Sequence, residues 1–358
     1  MRSANPDSVA NLRLSELVRE NPGPPLTHPP GIAVLDLFAG IGGFSSGFHA
    51  EGFCVTGVDS EPVAVQAYRD AGFGEAFQAD LGTTLFGSSS PVVIGGPPCR
   101  PWSPVNQQRR RAEHADHGLL ARFADHVREV RPLVFVMENV PALKADDIYG
   151  DSIRALTALG FDIEARILHY DQFGAATRRR RLFTVGVRGR LGGAHAVFHE
   201  LRQEHKPQRT VRDAISAYRN LARDAVPDHD WSELTTIGKY RDRYETGQYG
   251  WRKLDYDSPA PSFGSVAKTY ILHPEAGEEG YPERVLSVRE VMAIMGFPET
   301  VVFPKGTPRA KRYQMAANAV SPQVSRAIAT AVKRFLTGGV RDAIQRNFES
   351  PKPALAGE

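Results

Sequence analysis

Two cysteines in 358 residues are too few for a disulfide framework. No apolar run is long enough to span a bilayer, and no signal-peptide pattern opens the chain, so a reduced, cytoplasmic or nucleoid-associated protein is expected. A membrane role and a metal ion are not expected. Charge of one sign is also scarce, with a formal net charge of +3 and a pI of about 8.8. Such a balance is compatible with an acidic polymer as partner but does not establish one. What is present is ample apolar material, 41% of residues, enough for one large domain or two ordinary ones.

Residues 1–31 hold a short amphipathic segment, Val9 to Arg19, then Asn21-Pro22-Gly23-Pro24-Pro25 and Pro29-Pro30. A Pro/Gly run can neither continue a helix nor join a sheet interior, so this reads as a loosely attached arm. Next comes Ile32 to Phe44, a strand running into a glycine-rich turn at Gly40, Gly42 and Gly43, with a helix to Ala50. Glycines there let backbone approach a ligand at a helix N-terminus. A second strand, Phe53 to Val58, ends in Asp59, 19 residues after Gly40, where an acid can bind ribose hydroxyls. Taken alone this is a nucleotide-cofactor turn, and NAD competes. Ser45 stands where the dinucleotide fingerprint wants its third glycine, and Asp36 precedes the turn, which favours S-adenosylmethionine. Asp80, after a strand expected over 76–79, offers a third acid at the same sheet edge or a simple turn cap.

Val92-Val93-Ile94 reads as a buried parallel strand that enters Gly95-Gly96-Pro97-Pro98-Cys99-Arg100-Pro101-Trp102-Ser103. Ligands of open α/β sheets sit at that edge. A thiol held by a proline turn beside Arg100 is a candidate nucleophile, although free cysteines are more often small buried hydrophobes. The arginine-rich stretch from Val105 to Ala115 reads as a basic loop able to close over a polyanion or simply to lie in solvent. A helix over Leu119 to Val130 then leads to the apolar strand Leu133 to Met137, which ends in Glu138. If the two strands are neighbours, Glu138 lies near Cys99. A thiol and a carboxylic acid suit one reaction in particular. Thiolate addition at C6 of cytosine makes C5 nucleophilic, and an acid at N3 makes that addition feasible.

Asp36 to Phe44, Gly95 to Cys99 and Glu138-Asn139-Val140 together resemble, in order and spacing, the C5-cytosine DNA methyltransferase family. Gln172 to Phe183 is similar to that family's arginine motif. Arg209 to Ile215 is similar to the segment before its target-recognition region. Leu286 to Glu290, Met295 to Pro298 and Gln314 to Val324 are similar to its closing elements. The resemblance runs from 32 to about 336. It implies that Phe38, Gly40, Gly42, Asp59, Asp80 and Asn318 meet S-adenosylmethionine, that Cys99 is the nucleophile and Glu138 the acid. It further implies that Arg179 and Arg181 act at the base, Arg179 foremost at the cytosine intermediate. Alternate spacing on a strand would put both on one face, with Arg178 and Arg180 on the other. The family usually has Pro-Gln where this chain has Ala176-Thr177, and Gly-Asn where it has Ala317-Asn318.

Strands alternating with helices imply an α/β fold with a doubly wound, mainly parallel sheet, and the resemblance implies the seven-stranded S-adenosylmethionine-dependent methyltransferase form of it. The expected division is a flexible arm (1–31), a catalytic and cofactor domain (32–215), a target-recognition region (216–285), a returning segment (286–336) and a polar tail (337–358). Lys239 to Tyr244 and Tyr249 to Lys253 interleave bases with aromatics, which suits DNA contact by Arg241, Arg243 and Arg252 or a small aromatic core. Arg100 and Ser103 are expected to touch DNA from the catalytic loop. A closing helix from Pro322 to Leu336 should present Val324, Ile328, Val332 and Phe335 as one apolar stripe. The expected activity is C5 methylation of cytosine in double-stranded DNA with the base flipped out. A restriction endonuclease or defence complex is an implied partner, and the protein is expected to be monomeric. Methylation of structured RNA, and a DNA-binding subunit without turnover, are the alternatives. An exocyclic-amine methyltransferase would leave Cys99 unexplained.

Overall fold

The computed structural model describes residues 31–98, 116–232, 238–247, 251–263 and 271–348, with side chains to residue 338. Cys99, Arg100 and Ser103 lie outside the described residues, as do the arm before residue 31 and the stretch 105–115.

The core is a seven-stranded sheet. In chain order its elements are β1 (Ala33–Leu37), α1 (Gly43–Ala50), β2 (Cys54–Asp59), α2 (Pro62–Asp70), β3 (Gly74–Gln78), β4 (Val92–Gly95), α3 (Leu119–Val130), β5 (Val134–Asn139), α4 (Asp147–Ala158), β6 (Phe161–His169), β7 (Arg180–Arg188) and α5 (Gly193–Arg202). The strand order is β3-β2-β1-β4-β5-β7-β6, all parallel except β7, which runs antiparallel to both its neighbours. Every residue of β1 and β4 is buried, because both faces of the central strands are covered.

Alternation along the strands sorts the core into two clusters. Val34, Ile94 and Val136 face α1, α2 and α5, whereas Leu35, Val93 and Phe135 face α3 and α4. Register then sets the site. Leu37 is level with Val58 and with Gly95, and Gly95 is level with Met137. The loops that leave β1, β2, β4 and β5 therefore emerge side by side at one edge.

The chain continues through α6 (Val211–Ile215), α7 (Arg241–Thr246), the two-residue strands β8 (Arg252–Lys253) and β9 (Ile271–Leu272), α8 (Val288–Met295), α9 (Arg309–Asn318) and α10 (Pro322–Phe348). Among the described residues of 216–285 the αβ alternation lapses, and β8 and β9 form a short parallel pair. Tyr244, Leu272, Ala276 and Val285 make a small core, with Trp231 and Trp251 against it. At least Tyr244 and Trp251 therefore serve packing. This region is joined to the main sheet by Arg178 N–H donating to Ala260 O (2.7 Å) and Ala260 N–H donating to Ala176 O (2.8 Å). Arg284 also donates twice to Glu290 on α8, at 2.8 Å each.

Several boundaries differ from expectation by one or two residues, β5 among them, which starts at Val134 and runs through Glu138 to Asn139 rather than ending at Met137. β3 begins at Gly74 rather than 76, since parallel pairing with β2 fixes it more than its mixed composition does. The closing helix does not stop at Leu336 but runs to Phe348, so the polar tail begins as helix; a packed segment that has already nucleated carries the helix past Gly338 and Gly339, although both are poor helix formers. Its buried stripe is as expected, with Val324, Ile328 and Val332 inside and Phe335 half-buried. The stripe packs on α1, where a side chain at Gly47 would meet the Ser325–Arg326 backbone at 2.2–2.4 Å.

Candidate active site

The turn after β1 has an unusual backbone. Phe38, Gly40 and Gly42 all have positive φ (59°, 55° and 83°), so every second residue is left-handed. That conformation is strained for Phe38 and ordinary for glycine, and the loop closes on its neighbours, with Ala39 N–H donating to Val58 O and Gly42 N–H to Ala39 O at 3.0 Å each. Asp59, at the end of β2, holds the loop: its Oδ2 accepts from Gly40 N–H (2.8 Å) and its Oδ1 from Glu61 N–H (2.9 Å). Burial raises its pKa above the usual carboxylate range even so. Gly42 turns away, and a side chain there would strike Phe73 at 2.6 Å.

Behind the turn lies a buried polar chain. Tyr68 donates to Ser45 Oγ (2.8 Å), and Ser45 donates to Asp36 Oδ2 (2.6 Å). The other oxygen, Asp36 Oδ1, is buried with no hydrogen-bond partner among the described residues. Burial, with Asp59 adding repulsion, pushes the Asp36 carboxyl up to about 7 against the bond from Ser45. An orphaned buried acceptor is costly unless a donor arrives. Asp80 is exposed and caps a turn by accepting from Gly82 N–H (2.8 Å), while still facing the same cavity.

At the neighbouring strand ends, Glu138 is 7% exposed and pairs with Arg181, Nε to Oε1 3.0 Å. Burial pushes its carboxyl above the ordinary glutamate range; Arg181, then Arg179 and the Tyr170 hydroxyl, pull it back only in part. Asn139 Nδ2 donates to Pro97 O at 3.0 Å, which ties the Gly96–Pro98 turn to β5. A side chain at Gly96 would come within 3.2 Å of Glu138 Oε2, so the turn leading to Cys99 passes directly over the acid.

The arginine run divides as its spacing predicts. Arg179 and Arg181 face inward, whereas Arg178 and Arg180 are exposed. Their inward roles differ. Arg179 is 1% exposed and donates to Ala317 O (2.6 Å), Asn318 O (3.0 Å) and Phe263 O (3.4 Å), which caps the C-terminal end of α9. Arg181, not Arg179, is the one paired to the acid.

A single cavity of about 360 Å³ joins these parts. Asp36, Phe38, Gly40, Asp59 and Asp80 line one end, Glu138, Arg179 and Arg181 the other, and Asn318 closes it from α9. Of the cofactor positions named from sequence, only Gly42 is not in its wall. A larger depression of about 860 Å³ surrounds Cys54 and Phe73 at the far ends of β2 and β3, but it gathers no converging acids or bases comparable to these. Among the described residues no cluster of three His, Cys, Asp or Glu side chains is arranged to hold a metal ion. No helix among them is long and apolar enough to cross a membrane.

Two groups went unnoticed in the sequence. Tyr170 is fully buried, with the Arg179 guanidinium 5.8 Å from its ring centre; its hydroxyl makes no hydrogen bond within 3.5 Å among the described residues but is near enough to Glu138 to favour the charged carboxylate. The residue opens a four-residue 3-10 helix, Tyr170–Phe173, too short for any periodicity to mark it. Lys311 on α9 pairs with Glu61, the N-cap of α2, at 2.7 Å, and both line the cavity. They are 250 residues apart, so only the fold could join them.

The remaining basic candidates are engaged to different degrees. Arg241 pairs with Glu283 (3.0 Å), and Arg243 lies over the rings of Tyr240 (4.5 Å) and Trp251 (5.4 Å). Arg252 has no side-chain partner among the described residues.

The sequence pattern of C-5 cytosine-specific DNA methylases matches residues 32–334. A type II methyltransferase of Haemophilus parahaemolyticus is 30% identical over 337 residues, covering 86% of this chain and 88% of its own length. A type II methylase of Herpetosiphon aurantiacus is 26% identical over 352 residues, covering 86% of this chain and 96% of its own. In fold, the chain is similar to the S. pombe Dnmt2 methyltransferase, with a TM-score of 0.63 at 17% identity, 86% of this chain and 99% of that one being covered. The Entamoeba histolytica methyltransferase EhMeth gives 0.64 at 15% identity, with 87% and 99% covered.

Proposed function

The chain belongs to the C-5 cytosine-specific DNA methylase family, and from that premise we propose that it methylates C5 of a flipped cytosine in duplex DNA through covalent addition of Cys99. As a DNA (cytosine-5-)-methyltransferase it uses S-adenosylmethionine, which supplies an electrophilic methyl group when bound. The residues present fit that group. The open Gly40 turn, the orphaned Asp36 oxygen and the acids Asp59 and Asp80 ring one end of the cavity, offering acceptors to a cationic, hydroxyl-rich ligand. Phe38 and Asn318 would close on it from either side.

The observation that carries the reading is the shared cavity, which puts cofactor positions and a buried acid within one enclosure. A proton on Glu138 is favoured by burial, so its carboxyl can donate to N3 as the Cys99 sulfur bonds to C6. The ring electrons then move toward C5, which takes the methyl group as its bond to the donor sulfur breaks and S-adenosylhomocysteine is left. Loss of the C5 proton to a base, expulsion of the thiolate and return of the N3 proton to Glu138 restore the aromatic ring. Arg181 orients the Glu138 carboxyl, while Arg179 fastens β7 to α9 and so holds the wall of the base pocket. Bases buried in duplex DNA cannot reach such an enclosed acid, which is why extrusion is part of the proposal.

We read the protein as a monomer that marks sites against a restriction endonuclease, in keeping with the type II relatives. Bisulfite sequencing of DNA from cells expressing the protein tests the reading. Conversion-resistant cytosines at one short sequence are expected; protection absent from DNA but present in folded RNA would overturn it.

A further inference from the structure

The outward half of the arginine run reaches a second pocket. Arg178, Arg252 and Lys253 line a depression of about 390 Å³ whose remaining wall is Leu254, Asp255 and the Ser258–Ser262 turn. Local pairing builds it. Thr177 bridges Ala260 in parallel register, and Arg178 N–H donates to Ala260 O, so Arg178 is set against the 258–262 turn while its neighbour Arg179 points into the catalytic cavity. Strand β8 supplies the other two cations.

Most arginines at this junction are committed elsewhere. Arg212 makes a bidentate pair with Asp257 (2.8 and 3.1 Å), Arg241 pairs with Glu283, and Arg219 pairs with Glu275. Arg178 and Arg252 have no side-chain partner among the described residues. Lys253 has only an exposed contact with Glu278 at 3.4 Å, which screening makes easy to exchange. The one carboxylate in the wall, Asp255, is turned into its own loop, accepting from Asp257 N–H (3.0 Å) and from the Ser258 hydroxyl. Two guanidinium groups without side-chain partners among the described residues, lining one depression, leave several N–H donors open to an anion.

We infer that this pocket holds a backbone phosphodiester of the DNA strand whose cytosine enters the catalytic cavity. The inference rests on the proposed function and adds to it a site and a division of labour. Arg178 and Arg179 are consecutive, with Cα atoms about 3.8 Å apart, so a phosphate on one side of this wall and a base on the other fall within reach of one nucleotide. The strand that alternates its arginines separates backbone from base. Arg178 and Arg252 clamp the phosphate in bidentate fashion, and Lys253 adds charge without direction. Such a contact fixes position and carries no sequence information.

The test uses the full-length protein and a fluorescently labelled duplex of mixed sequence, with affinity measured across a potassium chloride series. Each neutralised phosphate contributes about 0.9 to the slope of log affinity against log salt. The double variant Arg178→Gln, Arg252→Gln should lose about one unit of slope and about tenfold or more in affinity at low salt. Binding of S-adenosylhomocysteine, followed by calorimetry, should stay unchanged, which shows the fold and the cofactor end to be intact. A control with the same loss of charge, Arg128→Gln with Arg154→Gln on α3 and α4, should keep the wild-type slope. A double variant whose slope equals that of wild type or of the control overturns the site, as does a slope change seen with an RNA hairpin and not with duplex DNA. Wild-type protein that leaves cellular DNA unmethylated defeats the proposed function instead, so the two failures are told apart.

Discussion

Replacing Arg181 by Met keeps the bulk of the side chain and removes the cation against Glu138. The pair is 3.0 Å apart and nearly buried, 12% and 9% exposed at the two side chains. Breaking such a pair costs about 3–5 kcal/mol when the remaining charge stays buried. The carboxyl has an escape, because burial already raises its pKa and it can take up a proton. That uptake costs about 1.4 kcal/mol for each pH unit above the ordinary glutamate value of about 4.3, which sets a ceiling of about 4 kcal/mol at pH 7 and about 1 kcal/mol at pH 5. A carboxyl whose folded pKa is raised contributes stability that is present at low pH and lost as pH rises toward that pKa. Losing Arg181 raises the folded value again, so the loss should extend further into the neutral range. Urea unfolding of wild type and Arg181→Met at pH 5, 6, 7 and 8 should therefore show a gap that widens with pH. Adding Glu138→Gln to the variant should flatten that dependence. A gap of constant size, or one that narrows toward alkaline pH, would refute the electrostatic account of this pair.

Three further outcomes follow from the cavity. Asp36 has its pKa pushed up to about 7 and one oxygen without a partner among the described residues, so binding of cationic S-adenosylmethionine should tighten as pH rises from 6 to 8. The free protein should lose stability between about pH 4 and pH 7, and Asp36→Asn should remove both trends; calorimetric affinities flat across that range would exclude the acid from the ligand end. The Tyr170 hydroxyl favours the charged form of Glu138, so Tyr170→Phe should shift the alkaline limb of kcat/KM upward, and an unmoved limb would leave Tyr170 with packing alone. The Lys311–Glu61 pair is partly exposed, 38% and 30%, and worth about 0.2–1 kcal/mol. Lys311→Gln should speed release of S-adenosylhomocysteine two- to fivefold in stopped-flow measurements, with the Lys311→Glu, Glu61→Lys swap restoring the native rate if the pair is a clasp.

The sheet and its helices were legible because their signals are local. Apolar β-branched runs at 92–94 and 133–137 read as buried strands, and the helix over Leu119 to Val130 was bounded correctly by its amphipathic period. Acids at strand ends were legible too, since a parallel sheet delivers them to one edge. Antiparallel insertion of β7 between β5 and β6 was not, because pairing direction depends on partners distant in sequence. The division of duties between Arg179 and Arg181 was also hidden. Spacing puts both on one face, but whether a guanidinium meets a carboxylate or three backbone carbonyls depends on where α9 returns. The continuation of α10 to Phe348 was missed for a third reason: Gly338 and Gly339 are poor helix formers, and only nucleation by the packed segment before them carries the helix on.

Covalent trapping tests the central claim most directly. Duplex DNA with 5-fluorocytosine at the target cannot release a C5 proton after methyl transfer, so addition should stop with enzyme attached. A denaturant-resistant adduct should form only with S-adenosylmethionine, yield a crosslinked peptide containing Cys99, and fail to form with Cys99→Ser because an alkoxide is far harder to generate than a thiolate at neutral pH. Efficient C5 methylation of cytosine by the Cys99→Ser protein would contradict it.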